Sequence, residues 1–144
     1  MVEVQRATTA GPDAVWAVLA DGWWLAAWVV GAARVTAVDL AWPAVGAGLR
    51  YGIGAWPLVV PGSARVTASR PARELALHGT TPIGGIDVQV LVDDAPAGCV
   101  LTMREDAVFG PARLVPAPLR AAVIAPRNVE TLRRLALLAE APAP

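Results

Sequence analysis

Lysine is absent from the 144 residues, and all twelve basic side chains are arginine. Schiff-base catalysis and a phosphate-loop lysine both need the ε-amine, so composition excludes them. Cysteine occurs once, at Cys99, which leaves no intrachain disulfide and no zinc-binding spacing. A reducing cytoplasm is the expected location, and neither a metal nor another cofactor is expected. Histidine also occurs once, at His78 in ELALHGTT, so any catalytic triad would have to use it. The alternation of that segment puts Leu75 and Leu77 on the apolar side and His78 on the polar one. Net charge is also lacking: twelve arginines balance twelve acidic residues. No net field draws a polyanion and no basic run suits an anionic membrane surface, so nucleic acid is not an expected partner. Ser63 and Ser69 have no G-x-S-x-G around them, which withholds support from nucleophilic hydrolysis. The glycines of GAGLRYGIG lack the dinucleotide-loop spacing and lead into a strand, where they bend the sheet.

What the chain does have is apolar surface. Hydrophobic residues make up 56% and charged residues 17%, enough to enclose a core and far from the polar excess of disordered segments. The length suits one domain, spanning residues 1–144. The most apolar stretch, DGWWLAAWVVGA from Asp21 to Ala32, extends backwards through PDAVWAVLA. A membrane span needs roughly 20 apolar residues in one piece, and Asp21-Gly22 cuts this run in two. A secretory signal needs a basic start, whereas Met1 to Ala7 reads MVEVQRA and alternates like a strand. No stable membrane insertion is expected.

Thr8, Thr9 and Pro12 supply helix-start chemistry and Gly22 a stop, so Ala14 to Ala20 is expected to be a short helix. Trp23 to Val30 is expected to form a second, with Trp24 and Trp28 four positions apart on one face. From Ala33 to Phe109, apolar segments alternate with proline- and glycine-rich turns, the pattern of an antiparallel sheet. The expected strands are Ala33–Leu40, Leu49–Trp56, Ala64–Ser69, Glu74–Thr80, Gly85–Asp93 and Cys99–Val108. Links such as WPAVGAG, PLVVPGS, TPIGG and DDAPAG are too short for crossover helices, so neighbours should pair as hairpins. The last region, from Pro111 to Glu140, reads as a long helix entered through prolines, which Pro126 should kink or divide. Leu119, Val123, Val129, Leu132, Leu135 and Ala139 recur at helical spacing on an apolar face that needs a partner. A curved sheet wrapped around that helix would bury it and, because the two shapes do not match everywhere, leave a cavity.

Alternation also nominates side chains for that cavity. Ile86, Val88, Val90 and Val92 form the inward set of one strand, and Cys99, Leu101, Met103 and Glu105 that of the next. Glu105 is the one charge on this inward face. Desolvated there it would have a raised pKa and serve as general acid or base or as a hydrogen-bond anchor, unless a bulge turns it outward or an arginine pairs with it. Leu49, Tyr51 and Ile53 alternate so as to put Tyr51 rather than Arg50 inside, beside Trp42 and Trp56 in an aromatic wall.

The order of elements resembles the SRPBCC superfamily, also called START-like or birch-pollen-allergen-like, with its polyketide cyclase/dehydrase and lipid-transport members. PDAVWAVLADGWWLAAWVVGA (Pro12 to Ala32), WPAVGAGLRYGIGAWPLV (Trp42 to Val59) and RNVETLRRLALLAE (Arg127 to Glu140) carry the likeness, and they look like a small stand-alone actinobacterial branch. The resemblance implies an α+β helix-grip fold, in which a seven-stranded curved antiparallel sheet grips the long C-terminal helix and two short helices follow the first strand. It also implies a hydrophobic tunnel, with Trp24 and Trp28 at its mouth or in the core beneath. The expected ligand contacts are Trp24, Trp28, Trp42, Tyr51, Trp56, Met103, Glu105, Leu119 and Val123. The expected function is binding or carriage of a small hydrophobic molecule, such as a lipid, polyketide or aromatic metabolite. The alternative is a polyketide cyclase or aromatase using Glu105 or Tyr51, although the family offers no universal catalytic motif to carry across.

Overall fold

The computed structural model describes residues 1–82 and 84–142. Ile83, in the expected TPIGG turn, and the last two residues of the 1–144 span lie outside the described residues. Seven strands follow the alternating segments: β1 (Val2–Thr8), β2 (Ala32–Val38), β3 (Gly48–Ala55), β4 (Leu58–Arg70), β5 (Glu74–Thr81), β6 (Gly84–Ala95) and β7 (Gly98–Phe109). Three helices accompany them: α1 (Pro12–Leu19), α2 (Leu25–Trp28) and α3 (Ala117–Glu140). The strands form one antiparallel sheet in the order β1-β7-β6-β5-β4-β3-β2, with α3 packed on it, the helix-grip arrangement. Sequential strands from β2 to β7 pair as hairpins, while β1 closes onto β7 with Val4 opposite Met103.

The core lies between the inward face of the sheet and one side of the helices. Leu75, Val90, Val92, Leu101 and Met103 of the sheet meet Val15, Leu19, Leu132, Leu135 and Ala136 of the helices, all buried. Each fully buried leucine contributes roughly 1.5–3 kcal/mol. On α3 the buried positions are Asn128, Thr131, Leu132, Leu135, Ala136 and Ala139, the i, i+3, i+4, i+7 series of one helical face. Thr8 Oγ1 donates to Glu140 Oε2 at 2.5 Å and ties the end of β1 to the end of the helix.

Several local expectations need correction. Pro126 lies inside α3 without dividing it: the helix is one element from Ala117 to Glu140, although proline forfeits one i→i−4 bond. The PARL segment is a separate 3-10 turn, Pro111–Leu114, ahead of α3. Trp23 to Val30 is not one helix. Asp21 accepts a hydrogen bond from Trp23 N at 3.2 Å and caps a 3-10 turn, Gly22–Trp24, and only then does α2 begin. Of PLVVPGS only Pro57 lies in a turn; from Leu58 onward it is the first half of β4. Pro61 is tolerated there because residues 58–62 pair only with β3, and β5 joins at Ser63; a missing N–H on that open side costs no ladder bond. Among the described residues, no helix is long and apolar enough to cross a membrane.

Candidate functional site

Sheet and helix do not fill the space between them. A cavity of about 190 Å³ lies where α2, the start of β2 and the middle of α3 face the curved sheet. Its wall is largely apolar, with Leu25 and Trp28 from α2, Ile53, Leu77, Ile86, Val88 and Met103 from the sheet, and Thr131 from α3. The sheet residues belong to the inward alternation of their strands. Tyr51 is given its room by glycine: a Cβ at Gly62 would stand 2.6 Å from Ile53 Cδ1 and 3.3 Å from Tyr51 Cζ.

One part of the wall is polar. Glu105, 2% exposed, forms an ion pair with Arg127 of α3, whose guanidinium is partly open to solvent. Burial pushes the Glu105 carboxyl above its ordinary value, and the Arg127 charge, the Arg127 hydrogen bond and the nearby Asn128 amide pull it back without cancelling the rise. Burial likewise raises the Tyr51 phenol; the Arg127 charge opposes this and the Glu105 charge adds to it. Asn128 stands beside the carboxylate without completing a well-formed hydrogen bond, for neither Nδ2 nor Oδ1 has a partner, and Trp28 Nε1 has none either. Each buried polar atom left so costs about 1–3 kcal/mol. Thr131, by contrast, is engaged, accepting from Val30 N at 3.1 Å.

The nominated residues divide. Trp28, Tyr51, Met103 and Glu105 line the cavity, and Arg50 faces away. Trp24, Trp42, Trp56, Leu119 and Val123 do not line it. Trp42 is buried in the core, where its Nε1 donates to the Leu19 carbonyl at 3.2 Å. Trp24 belongs to the 3-10 turn, so the four-residue spacing does not bring it onto the face of Trp28, and it is 47% exposed. Trp56 lies beyond the end of β3 at the hairpin tip, 88% exposed, and even-numbered residues of that strand point away from Tyr51 in any case. Leu119 and Val123 are exposed; at about 100° per residue they stand nearly opposite Asn128 on the helix. Arg127 and Asn128 were missed. The signal was the place of Asn128 four residues before Leu132, on the face already read as buried, with Arg127 flanking it.

His78 lies on the outward face, with Nδ1 2.7 Å from Asp87 Oδ1. It borders a polar trough with Arg50, Ser63, Arg65 and Thr80, separate from the apolar cavity. No group of three or more potential metal-ligating side chains occurs among the described residues.

The sequence matches no protein-family model and no curated protein. Solved structures do match. Protein CV1439 from Chromobacterium violaceum superposes with a TM-score of 0.76 at 16% identity, over 98% of both chains. The Zhui aromatase/cyclase from Streptomyces gives 0.68 at 23% identity, covering 96% of this chain and 92% of its own. StfQ, a di-domain aromatase/cyclase of steffimycin biosynthesis, gives 0.74 at 14% identity, over 96% of this chain and 49% of its own length. The likeness is one of fold. Helix, curved sheet and their order are shared along nearly the whole chain, while identities this low leave the site to be read from its own residues.

Proposed function

We propose that this protein binds or carries a small hydrophobic molecule, such as a lipid, polyketide or aromatic metabolite, in the cavity between sheet and α3. The observation that carries this reading is the cavity itself: about 190 Å³ of space between two packed layers, walled by Leu25, Trp28, Leu77, Ile86, Val88 and Met103. Protein interiors are normally filled to crystal density, so a hollow of this size is a site for a guest. Affinity comes from removing apolar surface from water, at about 25 cal/mol per Å² before ordering costs. The SRPBCC-like resemblance of the sequence and the aromatase/cyclases among the matching structures support the same reading. Native mass spectrometry of the protein purified from its own host tests it. An added mass of a hydrophobic metabolite is expected, and it should be lost when Leu77→Trp fills the cavity. Retention of the same mass by that variant places the guest elsewhere.

The second reading, a cyclase-type enzyme, is favoured by one observation: a carboxyl with a raised pKa, Glu105, in the same cavity as the Tyr51 phenol. Glu105 would give or take a proton at a bound ring precursor while the walls fold it. Glu105→Gln keeps the shape and removes the titration. Under the carrier reading ligand binding is nearly unchanged, and under the enzyme reading turnover disappears while binding remains.

A further inference from the structure

The outward face of the sheet carries a second recess, independent of the cavity and of the binding function proposed for it. The short side chains of Ala37, Gly48 and Ser63 are set among the long ones of Arg50 and Arg65, and the recess across β2, β3, β4 and β5 is a trough of about 400 Å³. Its wall is mostly polar. An oily guest would gain little there, since its affinity comes from apolar surface.

Strand pairing fixes which groups meet. Arg50 of β3 stands opposite Ser63 of β4, and Ser63 opposite Thr80 of β5; in the next row Gly48 stands opposite Arg65 and Arg65 opposite His78. Arg50 and Arg65 are therefore diagonal neighbours on one exposed face, roughly 7–8 Å apart, a separation that long side chains span. Elsewhere on the sheet carboxylates answer arginines, Asp94 beside Arg73 and Glu3 beside Arg104. Neither Arg50 nor Arg65 has a carboxylate within ion-pair distance among the described residues; Arg65 Nη1 donates only to the Gly46 carbonyl, at 3.1 Å. The acidic groups in this region are engaged by others. Asp39, which borders the trough, accepts from Gly48 N at 2.8 Å, and Asp87 Oδ1 lies 2.7 Å from His78 Nδ1. Two guanidinium groups beside two hydroxyls thus make a donor set carrying two positive charges. A carboxylate would bring one negative charge, whereas a phosphate monoester brings about −1.5 to −2 at neutral pH and three acceptor oxygens. Arginine meets such oxygens with paired N–H bonds.

We propose that this trough is a binding site for a phosphate group, free or borne by a small ester, with Arg50 and Arg65 holding its oxygens and Ser63 and Thr80 donating beside them. Glycerol 3-phosphate, inorganic phosphate, acetate and glycerol test it, titrated into the full chain at low ionic strength, where exposed charges are least screened. A pH of about 7.5 keeps the phosphate mostly dianionic. NMR of the backbone amides and arginine Nε–H groups follows the titration. Glycerol 3-phosphate is expected to shift the signals of Arg50, Ser63, Arg65 and Thr80 saturably and to bind at least about tenfold more tightly than acetate, and glycerol is expected not to bind. Arg50→Gln, which breaks no side-chain bond among the described residues, is expected to fold as the native chain does and to weaken the phosphate ester by at least about fivefold. Arg65→Gln should do the same. Arg6→Gln removes the same charge from β1, at the opposite edge of the sheet from β2, and should leave affinity within about twofold. Inorganic phosphate binding as tightly as the ester identifies the free ion as the occupant, and tighter binding of the ester shows that its bearer is gripped too; both uphold the site. Acetate matching the ester, shifts centred outside the trough, or equal weakening by Arg6→Gln and Arg50→Gln overturns it. Because the variants leave the cavity wall intact, none of these outcomes touches the hydrophobic guest.

Discussion

Glu105 sits between opposing influences, and the balance can be measured. Burial raises its pKa, Arg127 lowers it, and the rise prevails. The folded protein therefore holds this proton more tightly than the unfolded chain does. Stability from the group is fully present below the ordinary value of 4.5 and is lost as pH rises through the raised folded value. Glu105→Gln is neutral at every pH, so the stability of the native protein relative to the variant should decline with rising pH across that window, by at most about 1.4 kcal/mol per pH unit. Urea denaturation from about pH 4 to pH 8 reads the difference, and parallel curves would mean that the folded carboxyl titrates as it does unfolded. The inward direction of Glu105 was legible in the alternation of β7, and that of Tyr51 in β3, because a strand has a strict period of two. The arginine partner was one of the alternatives that the sequence left open. Trp24, Trp42 and Trp56 were misplaced because a tryptophan's apolar area says only that burial is favourable, not against which neighbour.

Elements were more legible than their ends. All seven strands and the long helix coincide with periodic segments, yet β4 begins six residues before the expected start at Ala64. Turn-like residues in PLVVPGS read as punctuation, and only the one-sided pairing of this segment lets it remain a strand. The reverse case is Gly98, where a turn residue fixes an element's place. Its φ is +153°, and a Cβ there would stand 2.1 Å from the Thr8 carbonyl oxygen and 2.8 Å from that of Ala10. The start of β7 passes this close to the end of β1, which pairs with it from Thr8 opposite Cys99. Gly98→Ala must therefore push β1 outward or strain its own backbone, and a loss of about 2 kcal/mol or more is expected. Thermal unfolding measures it. The same substitution at Gly11, where a Cβ meets nothing within 4 Å, is the control and should cost far less.

At the scale of the whole molecule, α3 is gripped over only part of its length. Its buried residues run from Asn128 to Ala139, and none of those from Ala117 to Arg127 is buried. Leu119 and Val123, taken from the sequence as part of one apolar stripe, belong to this outer half, 59% and 73% exposed. A helical repeat in sequence marks a face but not how far along the helix the partner reaches. The boundary falls at Arg127 and Asn128, which line the cavity. The outer half thus begins where the grip ends, and Pro126 removes one backbone bond at that junction. Local opening follows the density of buried contacts rather than helix length. Amide hydrogen exchange is expected to be at least about tenfold faster over residues 118–125 than over 131–139, a difference of roughly 1.4 kcal/mol or more in opening free energy. A guest that reaches Asn128 stabilises only states in which the cavity is intact, so saturating ligand should slow exchange around 127–131 more than at 135–139, which the core already holds. Uniform protection along α3 without ligand would show that the helix opens as one piece.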